Sequence, residues 1–532
     1  MNEPAVDLPT IPDEMIRELS AVVGEDSVYI ERAQVDEFKD PYWLPGDETY
    51  AAAAVVQPTS TGQVQEIMRI ANRYEIPVWP HSQGRNVGHG GPSPRVRGSI
   101  QIGFQKMNRV LEINDELAYA VVEPGVRWFD LYDAVRAAGY SLMVPCPDLG
   151  WGSVIGNSMD SGHTYQFYGA DYMFPTGFEV VLPDGDLLRT GAGAVPESKV
   201  WHLYKRSLGP SLDPLFVQSN LGIVTRMGVW LKRLPEAYAP VMLAIGEDDD
   251  LELAIDTLRE LKLEGHLEGV PTLYSALRAA VMLRDEPGAG SPAQLTAAEV
   301  REIGERSGVG AWAARAAVWG DAEIVRIRLR RIRDAWAKIP SGRVVAPRTY
   351  APFEYDEIVY SADQIMAGIP TLKAIENTPD HIAHVDFSPI VPMQGTEVRL
   401  VTDEIRKHVH AAGLNFSAAI MLTSERSGII LAGVRYDKTN ADAVRNAFDV
   451  VKLMVSEIGN LGYGVCRPHI DFMDLAADKY SFNGHAYRRF VEKIKDAVDP
   501  KGILSPGRHG IWPAAYRDGG ASSERAGGRS ET

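Results

Sequence analysis

Residues 81–95, HSQGRNVGHGGPSPR, place four glycines and two prolines directly behind IPVWP, which reads as a buried strand. Glycines at this density permit backbone conformations that a Cβ forbids and let main-chain N–H groups approach a ligand closely, so the segment fits a phosphate cradle. On its own it fits an unliganded surface loop equally well. The spacing of Gly84, Gly88, Gly90 and Gly91 is not G-x-G-x-x-G, and no Lys-Ser or Lys-Thr pair follows, which excludes a Rossmann fingerprint and a P-loop. Upstream, AAAAVVQP from residue 51 and then TGQVQEIMRIANRYEI at helical spacing predict strand, helix and strand ahead of the loop. Two more glycine-bearing segments, VPCPDLGWGSVIGNSMDSG and FVQSNLGIVTRMGVWLKRLP, follow within the first 235 residues, the latter reading as a Gly-interrupted strand pair. Between them GFEVVLPDGDLLRTG reads as a hairpin around its Asp-Gly turn.

At 532 residues the chain exceeds one ordinary core, so two domains or one interleaved pair is expected. Its formal charge of −17, from 71 acidic against 54 basic residues, argues against a nucleic-acid partner and against docking on an anionic membrane, both of which need clustered Lys and Arg. Cys146 and Cys466 are the only cysteines, too few for a disulfide framework or a zinc site, and they suit a reducing cytoplasm. The N-terminus has acids where a signal peptide needs bases, and no run of eighteen apolar residues occurs, so neither secretion nor a membrane span is expected.

Composition shifts near residue 239. From there to 464, charged helical runs such as DDDLELAIDTLRELKLEG and DAEIVRIRLRRIRDAWAKI alternate with β-rich HIAHVDFSPIVP and SGIILAGVRYD, which predicts a second domain. Past a helix ended by Asp499-Pro500, residues up to 516 are rich in Gly and Pro turns, and the Gly-, Ser- and charge-rich tail 517–532 is expected to be disordered.

Taken in order, GRNVGHGGPSPRVRGS, MNRVLEIN, VVEPGV, CPDLGWGSVIGN, SNLGIVT, FSP and DPKGILSPGRHGIWP run from about residue 35 to 516. In this set the chain resembles the vanillyl-alcohol oxidase and p-cresol methylhydroxylase flavoproteins, closest to the bacterial eugenol oxidases among them. The resemblance implies an α+β fold: an FAD-binding domain of the vanillyl-alcohol oxidase type made of 1–238 and 465–516, with an inserted α+β cap domain at 239–464. It answers the question of the first loop, which would hold the FAD diphosphate. Cofactor candidates are Gly84, Arg85, Asn86, Gly88, Gly90 and Gly91, then Pro147, Gly152, Ser153, Gly156 and Asn157, then Gly222 and Ile223, with Arg508 near the end. Neutral backbone dipoles aimed at a dianion suit an acidic protein.

By the same resemblance His384, placed by the Phe-Ser-Pro that follows it, attaches covalently to the flavin 8α-methyl group. Without that register it would read as a hydrogen-bonded core histidine. His381 is the alternative attachment residue. Asp148 matches the acid–base aspartate beside the flavin, although an aspartate after proline is also a common turn former. Cys146 reads as a small buried residue, and Tyr165 as a substrate contact. Family members that bind para-substituted phenols hold the phenolate with two tyrosines and an arginine. Here His89 and Cys466 stand where the tyrosines are expected, and only Arg467 remains, so a protonated His89 is expected to share the charge. An arginine near the flavin pyrimidine ring is replaced by Ala362.

The implied function is an FAD-dependent oxidase of a phenolic, lignin-like aromatic compound or alcohol. Hydride leaves a benzylic or allylic carbon and oxygen becomes hydrogen peroxide, since histidine attachment in the family goes mostly with oxidases. Asp148, Arg467, His89 and Cys466 form the reacting pocket. Oxidation of a non-phenolic or bulky alcohol, transfer of electrons to a cytochrome, and flavin binding without catalysis are the other readings. The protein is expected to be a homodimer or larger.

Overall fold

The structure, a computed structural model, describes residues 10–167, 175–286, 294–346 and 348–517. The expectation for the tail falls, apart from Arg517, outside the described residues. The strand–helix–strand opening is present. Ala54–Val56 and Val78–His81 lie parallel on either side of Ile100–Gly103, with helix Thr61–Tyr74 between them in sequence. Ser60 Oγ accepts the Gln63 N–H at 3.3 Å and starts that helix. Val64, Ile67, Met68 and Ala71 recur at helical spacing and are buried, each large side chain contributing roughly 1.5–3 kcal/mol of burial. The helix stops at Glu75, whose φ of 54° is left-handed.

A second, five-stranded antiparallel sheet follows, in the order Val110–Asn114, Tyr119–Val122, Ile223–Trp230, Pro175–Val181, Leu187–Arg189. Its last pair is the expected hairpin, with Glu179 opposite Arg189 and Gly185 at φ 86° in the turn. The Gly-interrupted strand pair is instead one continuous strand, Ile223–Trp230. Gly228 lies inside it because a Cβ there would stand 2.7 Å from His202 Nδ1, so the glycine answers a side chain rather than a turn.

Between 237 and 437 an eight-stranded sheet forms, with seven strands in the order Gly342–Val345, Ala237–Ile245, Trp312–Gly320, Thr272–Ser275, Ala418–Met421, Ser427–Asp437, Ile382–Phe387, and Ile390–Pro392 pairing beside them. Helices Leu251–Leu263, Ala322–Trp336, Gly395–Ala411 and Ala441–Asn460 share one core with it. Strand alternation decides which side chains that core receives. Ala314, Ala316, Ala383, Val385, Phe387, Ala432 and Val434 face the helices. Arg315, His384, Asp386 and Arg435, at the intervening positions, face the other way.

The C-terminal segment returns to the glycine loops. Buried Lys495 donates to Asp499 Oδ2 (2.6 Å), to the Asn220 carbonyl (2.6 Å) and to the Leu504 carbonyl (2.7 Å). Asn220 Nδ2 in turn reaches the carbonyls of Ser505 and Ile511, each at 3.0 Å. A buried ion pair thus joins the third loop to residues 499–511 and carries Arg508 to its place. Among the described residues no helix is long and apolar enough to cross a membrane, and no cluster of His, Cys, Asp and Glu could hold a metal ion.

Candidate active site

A cavity of about 200 Å³ lies where the three glycine loops meet. Gly84, Arg85, Asn86 and Gly91 come from the first loop; Gly152, Ser153, Gly156 and Asn157 from the second; Gly222 and Ile223 from the third; Arg467 and Arg508 from the C-terminal segment. Gly84, Gly88, Gly90 and Gly91 all have positive φ, from 54° to 104°, which only glycine adopts without strain. Gly88 and Gly90 nevertheless stand off the cavity wall. They are glycine because a Cβ would stand 2.8 Å from His384 Cδ2 at Gly88 and 2.7 Å from Ile470 at Gly90. The Gly91 N–H is engaged within the loop by the Asn86 carbonyl at 3.1 Å. Ser153 caps the short helix Val154–Met159, its Oγ accepting the Gly156 N–H at 3.0 Å.

Charge at this cavity comes from side chains as well as dipoles. Three arginines, Arg85, Arg467 and Arg508, face one aspartate, Asp160, among the described residues on its wall. Asp160 is a hub that the sequence reading missed. Its carboxylate accepts from Asn86 Nδ2 (2.8 Å), Arg467 Nη2 (3.1 Å) and Arg508 Nη2 (3.0 Å). Burial alone would raise its carboxyl, but the two guanidinium groups outweigh burial and hold it well below the usual carboxylate range. A net positive wall with glycine backbone in it fits the dianionic diphosphate of FAD.

A second cavity, of about 280 Å³, adjoins the first and shares Arg85, Asn86, Gly152, Asn157 and Arg467 with it. It collects His89, Pro147, Asp148, Tyr165, His384, Cys466 and Arg467. Ser388, from the Phe-Ser-Pro triplet, explains how 466 and 467 are placed. Its carbonyl accepts the Cys466 N–H at 3.0 Å, and its Oγ accepts the Arg467 N–H at 3.3 Å. Arg467 Nη2 also donates to Asn86 Oδ1 at 2.7 Å, so this arginine is fixed from both loops. His381, the alternative attachment residue, is exposed and off the cavity wall, and Cys146 is buried, with burial pushing its thiol up.

Asp148 is held from two sides. Tyr165 Oη donates to Oδ2 at 2.5 Å and Arg315 Nη2 to Oδ1 at 2.9 Å. Arg315 is 1% exposed and its guanidinium lies 3.8 Å from the Tyr165 ring centroid. The signal for it was available: one arginine within AWAARAAVWG is a charge that must find a partner inside.

The surroundings of His89 in the folded chain work against the proton expected on it. Burial, reinforced by the charge of Arg467, brings its imidazole down to about 4 against the opposing pull of Asp386, so it is neutral at neutral pH. Ala362 is buried in a separate cluster with Met242 and Tyr274. Positive charge reaches the second cavity by another route, through Arg278 and Arg435, which the sequence reading missed together with Asp386. Arg435, opposite His384 in the sheet, is brought to about 10 by burial and by Arg278.

Comparison with known proteins gives a consistent picture. Residues 52–191 match the family model described as an FAD binding domain. The chain is 31% identical over 505 residues to the 4-cresol dehydrogenase [hydroxylating] flavoprotein subunit of Pseudomonas putida, covering 93% of this chain and 95% of that one. Among solved structures, the 4-ethylphenol oxidase of Gulosibacter chungangensis in its isoeugenol complex superposes with a TM-score of 0.90 at 34% identity, covering 96% and 100% of the two chains. p-Cresol methylhydroxylase with substrate bound gives 0.88 at 29% identity, covering 95% and 99%.

Proposed function

We propose a function on one premise: the chain belongs to the vanillyl-alcohol oxidase and p-cresol methylhydroxylase family, and so is an FAD-dependent oxidoreductase. In our reading it is an oxidase of a phenolic, lignin-like aromatic compound or alcohol larger than a simple 4-alkylphenol. Residues 1–238 and 465–516 hold the cofactor, 239–464 form a cap, and His384 carries the FAD covalently. The observation that carries the reading is the convergence of Asp148, Arg467 and His384 on one cavity that shares Asn86 and Arg467 with the cofactor cavity.

FAD supplies the hydride acceptor. The chain supplies the rest. Arg467, braced by Asn86 and Asp160, meets the phenolate oxygen of the substrate and stabilises the charge whose release drives hydride loss. Asp148, oriented by Tyr165 and Arg315, moves the proton at the oxygen borne by the reacting carbon. A neutral His89 and a Cys466 thiol are weak supports for an anion and smaller than the tyrosines expected there, which supports a bulkier substrate. The neutrality of His89 equally favours a second reading, a non-phenolic alcohol on which Asp148 acts directly as base.

A panel of 4-alkylphenols, vanillyl-type alcohols and their para-methyl ethers tests both readings by flavin bleaching without oxygen and peroxide release with it. Methoxyphenols with a free para-hydroxyl should bleach the flavin and release peroxide. Equal turnover of the methyl ethers would establish the non-phenolic reading, and bleaching without peroxide would assign the electrons to another acceptor, such as a cytochrome.

A further inference from the structure

Attachment of FAD to His384 calls for a group that takes the imidazole proton, and among the described residues the strand that presents His384 holds one carboxylate beside it. We propose that Asp386 is the general base of flavin attachment, an inference that rests on the covalent reading of His384. Two residues apart on strand Ile382–Phe387, the two side chains share a face, and Asp386 Oδ2 lies 3.4 Å from His384 Nε2. His384 is open to the second cavity whereas Asp386 is buried behind it, at 31% and 8% side-chain exposure. Asp386 Oδ1 has no hydrogen-bond partner among the described residues, so the carboxylate keeps unused accepting capacity.

The groups facing this carboxylate are His384, His89 with Nε2 at 3.6 Å, the guanidinium groups of Arg278 and Arg435, and the Tyr42 hydroxyl. Burial would raise its carboxyl, but His384, which also hydrogen-bonds it, and Arg278 outweigh burial and hold it below the usual carboxylate range, so it is an anion at neutral pH. His89 is neutral and does not discharge it. The first glycine loop is fitted to the pair. At Gly88 a Cβ would stand 2.8 Å from His384 Cδ2 and 2.9 Å from Asp386 Oδ2, and the Gly88 carbonyl accepts the Asp386 N–H at 3.4 Å. The loop that walls the cofactor cavity therefore also seats the base.

In the overall change one bond forms, between a His384 nitrogen and the flavin 8α carbon. The methyl C–H and the imidazole N–H each give up a proton, and two electrons pass through the flavin to dioxygen, which leaves with two protons as hydrogen peroxide. Asp386 accepts the imidazole proton and balances the positive charge that the ring carries while its nitrogen becomes bonded to carbon.

The test uses full-length protein from riboflavin-limited cells. FAD is added, and covalent flavin is followed as fluorescence of the protein band after denaturing electrophoresis, with total bound FAD measured before denaturation. Wild type should become covalently labelled. Asp386→Asn should bind FAD yet label roughly 100-fold more slowly or worse. Asp386→Glu keeps the buried anion but shifts it by one methylene, so its rate should fall between the two; this variant decides the matter if the Asn variant takes up no FAD. A wild-type labelling rate in either variant would overturn the proposal. A wild type that never labels would instead overturn the covalent reading of His384, and the proposal with it.

Discussion

Arg315→Met removes the guanidinium that holds Asp148 while keeping most of the side-chain volume. The Nη2 contact at 2.9 Å is a hydrogen bond between charged groups with the arginine fully buried, a class that contributes about 1.5–3 kcal/mol. Asp148 is 24% exposed on the cavity, so water recovers part of any loss in stability, and the effect should show in catalysis more than in folding. If Arg315 acts by fixing the Asp148 carboxylate, the same 1.5–3 kcal/mol leaves the transition state, and flavin reduction slows roughly ten- to hundredfold. Asp148→Asn alone should slow reduction about 100- to 10,000-fold. In the double variant the arginine has no carboxylate left to orient, so the two losses should fall short of additivity by about the full coupling energy. Anaerobic stopped-flow bleaching of the flavin in the four proteins, normalised to bound FAD, measures this directly. Arg315→Lys keeps the charge without the planar fork and should lie nearer to Met than to wild type. Strict additivity, or an Arg315→Met rate within about twofold of wild type, would refute the reasoning and leave Arg315 as packing.

Arg467→Ala should lower kcat/KM for free para-hydroxyl substrates by about 2.7–4 kcal/mol, near 100- to 1,000-fold, and leave the methyl ethers little changed; an equal loss on both would remove Arg467 from phenolate binding. His89→Tyr combined with Cys466→Tyr should raise activity on small 4-alkylphenols roughly tenfold by supplying two stronger donors, and on the reading proposed above should lower activity on bulkier methoxyphenols; a steady-state panel reads both effects. His81 and His89 are each brought by burial to about 4 from an unfolded value near 6.5, so the unfolded chain binds more protons between those limits. Stability should therefore be full above about pH 6.5 and fall as pH drops toward 4, with roughly 3 kcal/mol at stake for each histidine; a urea-unfolding midpoint that stays flat across that window would contradict their burial as neutral groups.

Much of the fold was legible from local signals. Ser60 and the spacing of Val64, Ile67, Met68 and Ala71 announce the helix at 61–74, and the Asp184-Gly185 turn announces its hairpin, because both depend on residues within a few positions of one another. The glycine loops were readable as loops, and the motif order placed Asp148, His384 and Arg467 as candidates that converge on one cavity. What each residue faces was decided only by the tertiary structure. Gly88 and Gly90 read as phosphate-binding glycines, and packing adds a demand on them that the sequence does not show, clearance for His384 and Ile470. His89 read as a cation, yet burial beside Arg467 makes it neutral, and burial is not a property of five adjacent residues. Arg315 stands 167 positions from Asp148, and Asp160 is 348 from Arg508. A sequence shows that a charge within an apolar strand needs a partner, but only the folded chain, by closing those long loops against their entropy, determines which partner it meets.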